Sequence, residues 1–245
     1  LGLAFFVYPE ESMSEIPENL KNILSKIRAA EKKAGRPQNS VRLVAVSKFH
    51  PAQAVIEALE AGQSLFGENR IQEAAAKFDE IRSQGLAPQL HIIGSLQRNK
   101  AKEAVRIASC IESVDRLELI AEIEKQAAKI NKKIEILFEV HTGEESKAGF
   151  VSEADLHKAI EDCAKGEFPH VVPKGFMTMA PFTQDESLIR RSFASLRNLR
   201  DKFQAEFPSL DLAELSMGMS GDFELAIEEG STIVRIGTAI FGQRG

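Results

Sequence analysis

The chain has 245 residues and a formal net charge of -5, with 43% hydrophobic and 27% charged residues, which excludes a disordered or fibrous chain and a mini-protein that depends on staples. The acidic balance leaves no footprint for sequence-independent nucleic-acid binding, and the apolar runs are far too short to span a bilayer, so neither nucleic acid nor membrane is expected as a partner. Fifteen Phe, one Tyr (Tyr8) and no Trp leave any mechanism that needs a tyrosine base without a candidate in the body of the chain.

The opening LGLAFFVYPEES is followed by Met13-Ser14-Glu15, which reads as a natural start. Residues 1–13 are therefore expected to be a remnant or an upstream extension, and residues 14–245 a single domain. From Pro17, the positions Leu20, Ile23, Leu24 and Ile27 fall at helical spacing and predict an amphipathic helix, stopped by Gly35 and Pro37. VRLVAVS (41–47) is a short β-branched run of the kind that a strand buried on both faces requires, and a helical pattern follows over 51–61. Strand candidates recur at 64–66, 90–93, 109–112, 134–140, 171–176, 212–216 and 231–235. Helical patterns at 68–83, 97–107, 115–130, 152–163, 185–205 and 220–229 alternate with them. Eight such units in a chain of this length predict an α/β fold, a single (β/α)8 TIM barrel with an extra N-terminal helix. An open doubly wound sheet is the competitor, but no GxGxxG follows the first strand.

Cys110 and Cys163 stand in neither a metal spacing nor a disulfide framework, which fits buried thiols in a reducing compartment and predicts a soluble, cytoplasmic protein. The five histidines form no HxH or HExxH and the cysteines no CxxC, so no metal site is expected.

Barrel chemistry sits at the C-terminal ends of the strands. Lys48, just after the first strand, would lose hydration in the mouth of a barrel; desolvation lowers a lysine pKa towards the range in which a free amine attacks a carbonyl, the requirement for a Schiff base. The bland alternative is a strand-end lysine whose head snorkels into water. The last two loops, GMSGD and RIGTAIFG, carry glycine and hydroxyl residues ahead of helices. There the amides of Gly237 and Thr238 and the hydroxyls of Ser220 and Thr238 could ligate a phosphate, although Ser220 also reads as a plain N-cap with Asp222 in the first turn. A phosphate holder facing a carbonyl-reactive lysine suggests pyridoxal 5'-phosphate (PLP). Arg235 could then reach the pyridine nitrogen, its alternative being an ion pair with a strand-end carboxylate such as Glu214. His141 and His91 read as hydrogen-bonded structural histidines.

The stretches VAVSKFHPAQAVIEALEAG, LFGENRIQEAAAKF, LHIIGSLQRNKAK, EESKAGF, GFMTMAP and LSMGMSGDFELAIEEGSTIVRIGTAIFG resemble the YggS/PROSC family, the PLP homeostasis proteins, from about residue 17 to the end. The resemblance implies a barrel of the alanine racemase N-terminal type, fold type III among PLP proteins, with the cofactor on Lys48 as a covalent Schiff base. It further implies phosphate ligands at Ser220, Gly237 and Thr238, a pyridine-nitrogen partner at Arg235, Asn69 beside the ring hydroxyl, and Lys147 of the EESK motif as a relay or entry-site amine, with a solvated loop lysine as the alternative. Two positions depart from the family pattern: Ser95, where relatives more often carry His or Pro, and His141, where Asn is common. Both are expected to affect only residues behind the cofactor anchors.

Two functions compete. The first is a PLP carrier in cofactor homeostasis or delivery, with apo forms of PLP enzymes as clients, no assigned catalytic residue, and a monomeric or weakly dimeric state. The second is a PLP-dependent racemase-like enzyme, which needs an acid–base group on each face of the cofactor. Racemases of the resembling class take the second group, a tyrosine, from an added β domain and a partner subunit, and Tyr8 is the only tyrosine here. An arginine at the ring nitrogen also weakens the ring as an electron sink. Both features favour the carrier, and regulation through protein contacts is compatible with it.

Overall fold

The computed structural model describes residues 14–142, 149–150 and 152–243. The strands β1 (Arg42–Val46), β2 (Leu65–Glu68), β3 (Gln89–Ile92), β4 (Cys110–Val114), β5 (Ile134–Glu139), β6 (Val171–Met177), β7 (Glu214–Ser216) and β8 (Ile233–Ile236) pair in parallel, in chain order, into a closed barrel. The ring closes where Arg42 to Ala45 of β1 register with Ile233 to Ile236 of β8. The extra helix is α1 (Ile16–Lys33). Outside the ring run α2 (Ala52–Glu60), α3 (Ile71–Ser83), α4 (Ala101–Ile107), α5 (Leu117–Lys129), α6 (Glu153–Ala164), α7 (Glu186–Glu206), α8 (Phe223–Glu228) and a short α9 (Thr238–Phe241).

Two apolar clusters fill the fold. Val44, Val46, Leu65, Cys110, Leu137, Met177 and Ile233 come from strands only and plug the barrel interior. Leu43, Ala45, Phe66, Ile111, Ile136, Phe138 and Val234 belong to the larger cluster between sheet and helices. The apolar strand runs therefore alternate between two dry environments, which is why they carry no polar–apolar period.

Several boundaries differ from the sequence reading. β2 extends through Gly67 and Glu68, pairing with His91 and Ile92 of β3, because the Glu68 carboxylate is compensated from α3. β4 runs to Val114 and β7 is confined to three residues. The helix expected over 97–107 begins as a 3-10 turn, Arg98–Lys100. Arg235 is the penultimate residue of β8, with Ile236 after it.

α1 joins the barrel through buried Glu31, which accepts from Val41 N at 2.7 Å, Asn39 N at 3.1 Å and Arg28 Nη1 at 2.6 Å. Asn19 Nδ2 donates to Ile240 O at 3.2 Å, tying the same helix to α9.

β6 carries a bulge: Ile136 pairs with Pro173 but Leu137 with Gly175, and Gly175 has φ +147. A Cβ at Gly175 would lie 1.9 Å from Glu214 O on β7. Gly175→Ala is therefore expected to destabilise the barrel by about 3 kcal/mol or more, read as a lower urea midpoint at unchanged slope.

Candidate functional site

Lys48 lies two residues beyond β1, half-buried, on a turn held by its neighbour Ser47. Ser47 N donates to Gly67 O at 3.1 Å, and Ser47 Oγ donates to Glu68 Oε1 at 2.7 Å. Ser47 O accepts from Lys77 Nζ at 2.8 Å and from His50 N at 3.1 Å. Lys77 also donates to Glu68 Oε1 at 2.8 Å, so a buried ion pair between α3 and β2 fixes the backbone immediately before Lys48. Phe49 follows in the left-handed region at φ 68, with the Arg70 guanidinium 5.0 Å over its ring.

A cavity of about 360 Å³ opens at the C-terminal end of the barrel, within the range of small-molecule sites. Lys48, Asn69, Ser220, Arg235, Gly237 and Thr238 all line it. The structure thus brings together six of the residues expected at the site from opposite ends of the sequence. Lys147 lies outside the described residues. Ser220 is not the N-cap of α8: that position is Asp222, whose Oδ1 accepts from Met219 N at 2.6 Å and braces the loop. Gly237 closes against β1, where a Cβ would lie 2.9 Å from Val46 O. Ser95 lines the cavity itself rather than a layer behind it, whereas His141 contributes to a separate groove between α6 and α7.

The barrel interior turns polar just beneath this cavity. Arg235, 4% exposed, donates from Nη1 to Ser216 Oγ at 2.7 Å and from Nη2 to Thr178 O at 2.8 Å. Ser216 Oγ passes the chain on to Glu112 Oε2 at 2.5 Å, and Glu112 Oε1 is bonded to His91 Nδ1 at 2.6 Å. The expected alternative partner of Arg235, Glu214, instead pairs with Arg42 at 2.7 Å at the opposite end of the barrel. Burial alone would raise the Glu112 carboxyl, but the bond and charge of His91, the charge of Arg235 and the Ser216 hydroxyl together hold it below the usual carboxylate range. Burial lowers Arg235, opposed by the charges of Glu112, Glu139 and Asp222.

Glu139, the last residue of β5, was not singled out from the sequence. It is 3% exposed, lines the cavity, and its Oε2 has no hydrogen-bond partner among the described residues. Burial, then the charge of Asp115, pushes its pKa up to about 7 against the attraction of Arg235. Asn69 Oδ1 is the other buried polar atom of the cavity wall without a partner among the described residues. His50, also on the wall and 5.2 Å from the Phe241 ring, is lowered by burial and by the charge of Lys77. The sequence signal for Glu139 is a second carboxylate in a strand, Ile134–Glu139, whose other acidic residue, Glu135, stands at its opposite end.

The donor set fits PLP: an amine-bearing turn, hydroxyl and amide groups on the two adjacent loops, a buried guanidinium, and on the wall between them oxygens that have no partner among the described residues. A closed parallel barrel with this site defines a class, and the chain belongs to the family described as "Alanine racemase, N-terminal domain", which matches residues 19–245. Within that class it is 40% identical over 227 residues, 93% of this chain and 97% of the relative, to the pyridoxal phosphate homeostasis protein of Aquifex aeolicus. It is 36% identical over 239 residues, 95% of this chain and 98% of the relative, to the protein of that name in Escherichia coli K12. The solved structure of PipY from Synechococcus elongatus with PLP bound superposes with a TM-score of 0.82 at 36% identity, covering 93% of this chain and 100% of that one. Among the described residues no helix is long and apolar enough to cross a membrane, and no group of three His, Cys, Asp or Glu could hold a metal ion.

Two outcomes follow from this electrostatics. Glu139 keeps its proton in the fold from about its ordinary 4.5 up to about 7, so the folded state binds more protons in that window and stability falls as pH rises through it. Between about pH 5 and about pH 8 the apo-protein should lose about 3 kcal/mol more stability than Glu139→Gln, measured by urea unfolding at each pH. Lys77→Met leaves Glu68 buried without its cation, and about 3 kcal/mol of stability should be lost in the same assay.

Proposed function

We propose that the protein binds PLP in the barrel-mouth cavity, linked covalently to Lys48, and serves to hold the cofactor and deliver it rather than to turn over a substrate. The observation that carries this reading is the convergence of Lys48, Arg235 and the β7 and β8 loops on one cavity. The PLP bound to PipY and the homeostasis name of the relatives support it. Bound there, PLP would supply an electrophilic aldehyde on an electron-withdrawing ring.

Lys48 is assigned the bond to the aldehyde carbon, on a turn that Ser47, Glu68 and Lys77 keep in place. The hydroxyls of Ser220 and Thr238 and the amides of Gly237 and Thr238 are assigned to the phosphate. Arg235 is assigned to the pyridine nitrogen. A guanidinium does not give up its proton, so it donates a hydrogen bond and leaves that nitrogen unprotonated, which keeps the ring a poor electron sink. Asn69 is assigned to the ring hydroxyl. Apo forms of PLP enzymes are the proposed recipients, met as a monomer or weak dimer. Free Cys110 and Cys163 suit a reducing compartment, taken to be the cytoplasm.

Borohydride reduction of PLP-loaded protein followed by peptide mass spectrometry should place the adduct on Lys48, and Lys48→Ala should abolish it; protein that forms no adduct sinks the reading. Arg235→Gln should shift the absorbance maximum of the bound cofactor, and an unchanged spectrum would remove Arg235 from the ring nitrogen. Alanine, serine or glutamate incubated with loaded protein in deuterated water should keep the α-proton; rapid exchange would instead establish a racemase-like enzyme.

A further inference from the structure

Glu139 has no task in the reading above. It ends β5, the fourth neighbour of β1 in either direction around the eight-stranded ring, so it meets the cavity from the side opposite Lys48. Its Oε2 is buried and has no hydrogen-bond partner among the described residues, an arrangement that costs free energy unless a ligand or a proton satisfies it.

We propose that Glu139 is a cofactor-facing acid that takes up a proton at Oε2 when PLP enters the cavity, so that the protein retains PLP while this carboxyl is neutral and loosens its hold when the carboxyl ionises. This rests on PLP binding in the barrel-mouth cavity.

The argument is one of charge. A phosphate monoester brings about -1.5 to -2 charges at neutral pH. A second anion at the cavity wall is repelled, whereas a neutral carboxyl both escapes the repulsion and gains an O–H donor. The groups acting on Glu139 leave it poised for such a response. Asp115 and Glu112 press from the β4 side, and Asp115 is itself held by Arg116. β6 sets Met177 beside Glu139 and offers Thr178 next in sequence, neither of them charged. Lys48 and His50 share the cavity from the β1 side. Arg235 on β8 is the cation that holds Glu139 down, and its guanidinium is the group assigned to the pyridine nitrogen. Sharing Arg235 with the cofactor weakens its pull on Glu139, so cofactor charge and loss of the cation act in the same direction. The proton comes from solvent and rests on Glu139, which already titrates at about 7 before the cofactor arrives. By linkage, a ligand that favours the protonated acid binds more tightly where the acid is protonated.

Wild type and Glu139→Gln are titrated with PLP at about pH 6 and about pH 8.5, with Kd read from the absorbance of bound cofactor and the borohydride adduct mapped in each sample. Between the two pH values the wild-type Kd should rise about tenfold more than that of the variant, the change expected if binding raises the Glu139 pKa by about one unit. The same pH dependence in both proteins overturns the proposal, and an adduct on Lys48 in both then leaves the cofactor reading intact. Wild type that shows neither saturable binding nor an adduct removes the cofactor reading, and the proposal with it. Carboxyl-carbon NMR of wild type gives a second measurement that needs no variant. A glutamate resonance titrating near neutral pH in the apo-protein should move to higher pH when PLP is added, and a resonance that stays in place overturns the proposal.

Discussion

The hydrogen-bonded ladder between β1 and β8 is the constraint on which the rest of the site depends. It joins the beginning of the chain to its end, and by doing so sets Lys48, just past β1, beside Arg235, Gly237 and Thr238. The same eight strands in the same order, left open between β1 and β8, would make those two strands separate edges, with Lys48 and the loop after β8 at opposite sides of the sheet. Closure also removes both exposed edges, so every strand is satisfied on two sides. The contact of His50 with Phe241 and the bond from Asn19 to Ile240 brace the same seam from the loop and from α1.

Within the ring, the physical problem is how to keep charge in a dry interior. Glu112 and Glu139 are both carboxyls on neighbouring strands, and the fold gives them opposite states. Glu112 has a hydrogen bond at each oxygen, from His91 and Ser216, and remains ionised opposite Arg235. Glu139 has an oxygen without a partner among the described residues and faces two other carboxylates, so its neutral form is favoured. The number of donors, rather than depth of burial, separates them, because a carboxylate without donors bears the full cost of leaving water. The Glu68 and Lys77 pair solves the same problem outside the ring, between β2 and α3, and there the solution doubles as a clamp on the Lys48 turn.

Much of the site was legible because barrel chemistry falls where an apolar run ends. Lys48, Asn69, Ser220, Gly237 and Thr238 each follow such a run, and all line the cavity. A polar residue inside a strand carries no such signal. Glu68 falls outside the 64–66 strand expected from the sequence, although β2 includes it, and Glu139 lies within an expected strand, where no run end marks it. Arg235 lines the cavity, and its expected alternative partner, Glu214, serves Arg42 at the other end of the barrel. Sequence proximity to a strand end does not say which end of a neighbouring strand it meets. Ser95, expected behind the cofactor anchors, is brought to the cavity wall by the turn after β3.

By itself, the sequence determined the number and order of the strand–helix units, the parallel sheet, and which residue types stand at the strand ends, because each of these follows from short-range hydrophobic period and turn chemistry. Tertiary structure alone decided the partners: that Ser216 lies between Arg235 and Glu112, that Lys77 reaches back to Ser47, and that Glu139 meets the cavity opposite Lys48 with an oxygen that no described residue satisfies. The reason is physical. A strand's own pattern sets which side chains point into the barrel, but the state of a buried charge depends on the donors and charges that other strands bring within a few ångströms, and that is fixed only when the ring closes.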